Sequence, residues 1–196
     1  MIGAQALALN ISGHTSLLTP GHVNMTVRQP FGVCAGIIPW NVPGIMFVYK
    51  SGQALAAGNA MIIKTSEKAP LSSLLFAKLA LEAGVPGGVL QVLGGLGDTG
   101  RLLAEHMRIR KISFTGSTRT GRLIMAGAAK SNLKNVTLKL GGKSPTIVFD
   151  DVNIDEVVPL TKISIMWNAG QICVANSRIY VHEKASAPFF SCLDGV

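Results

Sequence analysis

Short apolar segments alternate with segments of helical period along most of the chain. Asn59–Lys64 predicts a strand, and the leucines of the next segment recur at the spacing of one helix face, at Leu71, Leu74, Leu75 and Leu79. Strands that alternate with helices of about 10 to 15 residues indicate right-handed βαβ units on a parallel sheet. The sequence therefore predicts an α/β fold with a doubly wound, Rossmann-like parallel sheet.

The same alternation predicts the remaining elements. Strands are expected at 88–95, 111–117, 135–140, 144–151 and 177–183, and helices at 98–107, 118–130 and 153–170. Pro159 permits a kink in the last of these helices. Two strand-like runs with a break near Pro30 precede them.

The composition narrows the class of protein. Of the 196 residues, 48% are hydrophobic and 14% are charged, whereas a globular chain carries about a quarter charged residues. Much of the sequence is therefore expected to be buried in a core or covered by a partner. The longest apolar run, Phe31–Trp40, is half of the roughly 20 residues that a bilayer requires, so no membrane partner is expected.

The cysteines bear on the cellular compartment. Cys34, Cys173 and Cys192 are widely spaced and do not form a disulfide framework. The N-terminus has no basic region before an apolar core, so it does not resemble a secretory signal. A reducing, cytoplasmic location is therefore expected.

The positive charge of the chain is concentrated in one stretch. The net charge is +8, and Arg101–Lys143 holds ten lysines and arginines against one acid, Glu105. Such an excess fits a nucleic-acid face, a site for a phosphate-bearing cofactor, or a solvated helix surface. Because no clustered basic run, interleaved aromatic pattern or zinc-finger spacing accompanies it, no nucleic-acid partner is expected.

Parallel sheets bind ligands at the carboxyl ends of their strands, and several predicted strand ends carry polar or glycine residues. Gly116 and Ser117 join a strand to a helix, and this turn is either an anion site at the helix N-terminus or plain turn chemistry. Glu67, after the strand that ends at Lys64, would accept hydrogen bonds from a ribose hydroxyl or support the next helix.

Two further residues have the chemistry of an active site. Asn41 lies between two prolines at a strand end, where a rigid amide would stabilise an oxyanion or simply form a turn. Cys173 follows a Gly-Gln turn, and it is either a nucleophile or a small buried hydrophobe. The four histidines show no metal-ligand spacing, so no metal site is expected.

Six motifs in order resemble those of the aldehyde dehydrogenase superfamily. They are PFGVCAGIIPWNVP, IIKTSEKAPLS, EAGVPGGVLQVL, FTGSTRTGRLI, LGGKSP and NAGQICVANSR, and the resemblance extends from about Thr26 to Glu183. It implies an oxidoreductase that converts an aldehyde to a carboxylic acid with NAD(P)⁺ through a cysteine thioester.

The resemblance implies a role for each matching residue. Cys173 matches the nucleophile, Asn41 matches the amide that stabilises the oxyanion, and Lys139 stands at the position of the family's glutamate general base. The residues that match the family's cofactor contacts are Ile38, Pro39, Trp40, Lys64, Glu67, Gly97, Phe114, Gly116, Ser117, Leu140 and Gly141. The Glu67 carboxylate would repel a 2′-phosphate, so NAD is the expected cofactor and NADP is possible.

The chain departs from the family in two ways. An ammonium at Lys139 has three donors and no acceptor, so it does not take a proton from water while it is charged. The sequence also ends soon after Cys173, so most of the family's catalytic domain and the strand used for homo-oligomerisation are expected to be absent. The alternative function is thus a truncated, catalytically impaired nucleotide-binding remnant.

These observations together predict three parts of the chain. Residues 1–23 are expected to form an incomplete N-terminal segment, residues 24–140 a Rossmann-like NAD(P)-binding domain, and residues 141–196 a partial catalytic domain that carries the nucleophile. The expected partner is a small aldehyde substrate.

Overall fold

The computed structural model describes residues 11–194, which divide into two compact units at the bond between Lys139 and Leu140. The predicted N-terminal segment, 1–23, is therefore described only from residue 11 onward. Its short strand β1 (Thr15–Ser16) pairs in antiparallel fashion with β2 (Asn24–Met25), which lies just beyond the predicted segment.

Among its described residues, the first unit contains a five-stranded parallel sheet and four helices. The strands are β3 (Val33–Ile37), β4 (Ala60–Lys64), β5 (Leu90–Leu93), β6 (Lys111–Thr115) and β7 (Asn135–Lys139). The helices are α1 (Pro43–Ala56), α2 (Leu71–Glu82), α3 (Gly97–Glu105) and α4 (Thr118–Lys130). The strands lie in the order β5-β4-β3-β6-β7, and all four pairings are parallel. The predicted fold class, an α/β fold with a doubly wound parallel sheet, is confirmed.

The strand order reverses between β3 and β6. From β3 the chain proceeds outward through β4 and β5, and it then returns to the other side of β3 as β6. Ile37 of β3 is in register with both Lys64 of β4 and Phe114 of β6, so the carboxyl ends of these three strands lie side by side. A crevice outside such a switch point is where doubly wound sheets bind their ligands.

Helices cover both faces of the sheet. Helices α1 and α2 pack on one face, where Cys34, Ile38, Phe47, Met61 and Ile63 belong to one buried cluster. On the other face α3 and α4 pack against each other, and α4 contacts β6 and β7. Burial of about 25 cal/mol per Å² of apolar surface makes these two layers the main stabilising term of the unit.

The leucines whose spacing predicts helix α2 are exposed on its surface. Leu71, Leu74, Leu75 and Leu79 are 77%, 48%, 55% and 46% exposed, while Ser73 is fully buried. The spacing of the leucines therefore predicts the helix but not the side that faces the core. This leucine face of α2 is not covered by any residue that the structure describes.

The second unit is smaller. Strands β8 (Pro145–Val148) and β9 (Arg178–Val181) pair in parallel, and they are accompanied by α5 (Ile154–Met166), a 3₁₀ turn (Trp167–Gly170) and α6 (Glu183–Asp194). Its core is built on three buried side chains, those of Val148, Val158 and Phe189. Within residues 11–194, no helix has the length and apolarity required to cross a membrane.

Two helices differ from the expectation. The sequence pattern does not predict helix α1, although Pro43 at its first turn is a favoured helix start, because Lys50, Ser51 and Gly52 interrupt its apolar pattern. Helix α6 was not predicted either, and it begins directly after the strand that ends at Val181.

Candidate active site

The carboxyl ends of β3 and β4 bring several of the predicted cofactor residues together. The Ile38 amide donates to the carbonyl of Lys64 at 3.1 Å, which extends the pairing of the two strands by one residue. Ile38 is buried, Pro39 is half-buried and Trp40 is 42% exposed. The ammonium of Lys68 lies 5.6 Å from the centroid of the Trp40 ring, within the range of a cation–π interaction.

Lys64 and Glu67 form a charged pair at the end of β4. The Lys64 ammonium is buried, donates to the carbonyl of Thr65 at 3.0 Å and lies 3.8 Å from Oε2 of Glu67. Burial lowers the pKa of Lys64, and the charge of Glu67 partly opposes this. The Glu67 carboxylate is half-exposed. The Lys64 ammonium is therefore a fixed hydrogen-bond donor beside the accessible acceptor of Glu67, and this arrangement suits the two hydroxyls of a vicinal diol.

The turn from β6 to α4 follows the carboxyl end of the strand that lies on the other side of β3 from β4. Phe114 is buried, and an added Cβ at Gly116 would lie 2.6 Å from Cζ of its ring, so only glycine fits there. The Ser117 hydroxyl caps α4 by accepting from the Thr120 amide at 3.2 Å. No acid lies in the first turn of α4, so its positive dipole end is not neutralised from within the helix and favours an anion.

The other predicted residues of the first unit lie at element ends. Gly97 is the exposed first residue of α3 and is followed by Asp98. Lys139 is the exposed last residue of β7, in register with Thr115, and its carbonyl accepts from the Gly116 amide at 3.1 Å. Asn41 is half-buried, between β3 and α1.

The predicted nucleophile lies in the second unit, together with Leu140 and Gly141. Cys173 is half-buried and its thiol is not in a disulfide. It follows a turn in which Asn168, Ala169 and Gly170 have φ of 51°, 55° and 71°. The left-handed region is costly for residues other than glycine, and such strain concentrates at functional sites.

Gly142 contacts the backbone of Cys173 closely. An added Cβ at Gly142 would lie 2.8 Å from the carbonyl oxygen of Cys173, closer than real Cβ atoms approach backbone. The second glycine of the LGGKSP motif is thus required by packing, and it fixes this segment against the turn that carries the thiol.

Comparison with known proteins identifies the group to which the chain is related. The sequence pattern of the aldehyde dehydrogenase family matches residues 3–194. The chain belongs to the aldehyde dehydrogenase family.

Individual aldehyde dehydrogenases show how much of the family's length is present. The chain is 52% identical over 165 residues to the mitochondrial family 2 member B4 of Arabidopsis thaliana, covering 84% of this chain and 31% of that protein. It is 52% identical over 160 residues to cytosolic aldehyde dehydrogenase 1 of Rattus norvegicus, covering 81% and 32%. The chain thus spans about a third of the length of these curated relatives. Because the two locations differ, the expected cytoplasmic location stays a prediction.

A solved relative connects the fold to a cofactor. The crystal structure of PnpE, a protein of Pseudomonas sp. WBC-3, in complex with nicotinamide adenine dinucleotide has 45% identity to this chain and a TM-score of 0.88. The alignment covers 96% of this chain and 39% of that one. The crystal structure of an aldehyde dehydrogenase from Brucella melitensis biovar abortus 2308 has 41% identity and a TM-score of 0.91, and the alignment covers 97% of this chain and 40% of that one, so the fold of this chain is found in aldehyde dehydrogenases.

The sequence pattern does not predict one buried cation of this chain. Lys50, on the unpredicted helix α1, is 7% exposed and donates to the Ser113 hydroxyl at 2.7 Å. Burial, and secondarily the charge of Lys111, lowers its pKa to about 8. The sequence signal for it is a lysine that directly follows the apolar run IMFVY.

Proposed function

We propose that the chain forms the cofactor-binding part and the nucleophile-bearing part of an NAD-dependent dehydrogenase that oxidises aldehydes to carboxylic acids. The observation that carries this proposal is the set of strand ends at the β3/β6 switch point. There a buried ammonium, an accessible carboxylate and a helix N-terminus lie at neighbouring strand ends within one family member. Under this proposal residues 24–140 are the cofactor domain and residues 141–196 belong to the catalytic domain.

The residues of the crevice fit a dinucleotide. Glu67 would accept hydrogen bonds from a ribose diol, to which Lys64 would donate, and the first turn of α4 would hold the pyrophosphate. Ile38, Pro39 and Trp40 would form the neighbouring wall. Because a 2′-phosphate would be repelled by the Glu67 carboxylate, we propose NAD as the preferred cofactor, with NADP as a weaker ligand.

Cys173 is proposed as the group that attacks the aldehyde carbon. The sulfur forms a bond to that carbon while the carbonyl oxygen gains negative charge, and the amide of Asn41 would donate to this oxyanion. A bound NAD would supply the hydride acceptor, and loss of a hydride from the resulting hemithioacetal would leave a thioester on Cys173. The strained turn before Cys173 would hold the thiol in one orientation, because its left-handed residues leave the backbone little freedom.

In this proposal Lys139 determines how fast the thioester is hydrolysed. Water needs a proton acceptor as it attacks, and a charged ammonium is not one. The chain would then acylate but release its product slowly. The second candidate, an impaired nucleotide-binding remnant, is favoured by the same residue.

The test is to locate an acyl group. The chain is incubated with NAD and an aldehyde, quenched in acid, digested and examined by mass spectrometry. We expect an acyl group on Cys173, and none on Cys34 or Cys192, in amounts that match the NADH released. Cys173→Ser should abolish both signals and leave NAD binding intact. NAD binding without acylation would support the remnant, and neither binding nor acylation would contradict both candidates.

A further inference from the structure

A cavity of about 630 Å³ lies in the first unit, away from the switch-point crevice. It is bounded by α1 and by the amino-terminal halves of the strands, including Cys34 of β3 and Lys111 of β6, which are neighbours in register. The crevice proposed for the dinucleotide lies at the opposite, carboxyl ends of the same strands. Cavities of about 300 to 1,000 Å³ hold small molecules in proteins.

Lys50 gives this cavity an unusual buried donor. Its stem packs over Gly36, where an added Cβ would lie 3.3 Å from the lysine Cδ. Its ammonium donates to Ser113, which is the one acceptor for it among the described residues. An ammonium has three N–H donors, and buried donors normally have partners. Two donors of a side chain that is 7% exposed are therefore available at the wall of the cavity.

The other charged groups of the lining are also cations. Lys111 donates to Asn135 and Thr137, which lie on the neighbouring strand, and Arg28 adds a third positive side chain. None of the described residues that line the cavity is an aspartate or glutamate. An anion between Lys50 and Lys111 would offset their repulsion and accept the available hydrogen bonds, which are stronger when both partners are charged.

The remaining lining is mostly apolar and includes Phe31, Cys34, Ala54 and Met61. A bare inorganic anion would leave this surface in contact with water, whereas a hydrocarbon chain would cover it at about 25 cal/mol per Å². We propose that this cavity binds a small organic monocarboxylate, with the carboxylate held by Lys50 and Lys111 and a short hydrocarbon chain on the apolar wall.

The first experiment compares a ligand that has both a charge and a hydrocarbon chain with ligands that have only one of the two. Binding of hexanoate, hexan-1-ol and inorganic phosphate to the full chain is measured by titration calorimetry at one ionic strength set with chloride. We expect hexanoate to bind more tightly than hexanol, which lacks the charge, and more tightly than phosphate, which lacks the chain. Equal affinity for hexanoate and either other probe would overturn the proposed ligand class.

The variants assign the binding to this cavity. Lys50→Met and Lys111→Met should each weaken hexanoate binding by on the order of 10-fold or more, because each removes a charge-assisted hydrogen bond. Lys78→Met, on the exposed surface beside Glu82, is the matched control and should bind as the parent does. Lys111 lies at a strand start and is only half-buried, so its variant tests the site even if Lys50→Met fails to fold. Unchanged binding in a folded Lys50→Met or Lys111→Met chain would overturn the site.

Discussion

Replacing Lys50 by methionine should stabilise the chain at neutral pH. Methionine keeps an unbranched apolar stem over Gly36 and removes the buried charge. In the folded chain the pKa of Lys50 is lowered from 10.5 to about 8, a difference of about 2.5 units. Since one unit corresponds to about 1.36 kcal/mol, folding with the protonated side chain costs about 3 kcal/mol. Because the variant also loses the hydrogen bond to Ser113, this figure is an upper bound for the gain.

The sign of the pH dependence follows from the lowered pKa. Below pH 8 the side chain is protonated in both the folded and the unfolded chain, and the full cost is present. Between about pH 8 and 10.5 the unfolded chain binds more protons than the folded one, so the free energy of unfolding rises with pH. The free energy of unfolding of Lys50→Met should therefore exceed that of the parent by up to about 3 kcal/mol at pH 7 and by about 1 kcal/mol at pH 10.

Urea unfolding of the parent and the variant at pH 7 and pH 10 measures this change. Chloride should set the ionic strength, and organic carboxylates should be left out because they would bind the charged form. Lys78→Met is the control, since its side chain is 73% exposed and it should show no pH-dependent difference from the parent. If the parent and Lys50→Met differ by the same free energy of unfolding at both pH values, burying the ammonium costs nothing and the reasoning is wrong.

Three other predictions concern the proposed active site. Gly142→Ala should lower the free energy of unfolding by about 1–3 kcal/mol in a thermal or urea experiment, because the new Cβ meets the Cys173 carbonyl. Gly141→Ala, which has open space around its Cβ, should not, and equal effects would contradict the close approach. Glu67→Gln should narrow the gap between NAD and NADP affinities measured by titration, whereas equal affinities in the parent would refute the role of the carboxylate. In a hybrid of this chain with the C-terminal part of a related aldehyde dehydrogenase, we expect one stoichiometric burst of NADH followed by slow turnover. Lys139→Glu should raise the steady rate by on the order of 10²–10⁴-fold, and a parent hybrid that already turns over steadily would contradict this.

The parallel sheet of the fold could be predicted because each strand and its following helix leave a local signal. The apolar run Asn59–Lys64 and the helical spacing after it are visible without any tertiary information. Helix α1 lacked such a signal, because its buried side includes Lys50, Ser51 and Gly52 beside Phe47. A polar residue that is buried by tertiary contacts looks the same in the sequence as a polar residue on a surface.

The candidate site could be predicted only in part, for a similar reason. The strand ends that carry Lys64, Glu67 and Gly116 follow from the alternation of elements, since parallel strands end at one edge of a sheet. The roles of Cys173 and Lys139 came from the resemblance to the family, not from spacing. The constraint on Gly142 is a contact between segments that are thirty residues apart, and no local pattern in the sequence contains it.

The leucine face of α2 has a consequence for how the chain behaves in solution. A net charge of +8 makes copies of the chain repel one another at low ionic strength. Salt at about 0.1 M confines that repulsion to about 10 Å, whereas contact between exposed leucines is short-ranged and is not screened. Two opposing forces with different ranges therefore govern the colloidal stability of the chain. Its solubility should fall as sodium chloride is added, and dilute buffer should keep it dispersed.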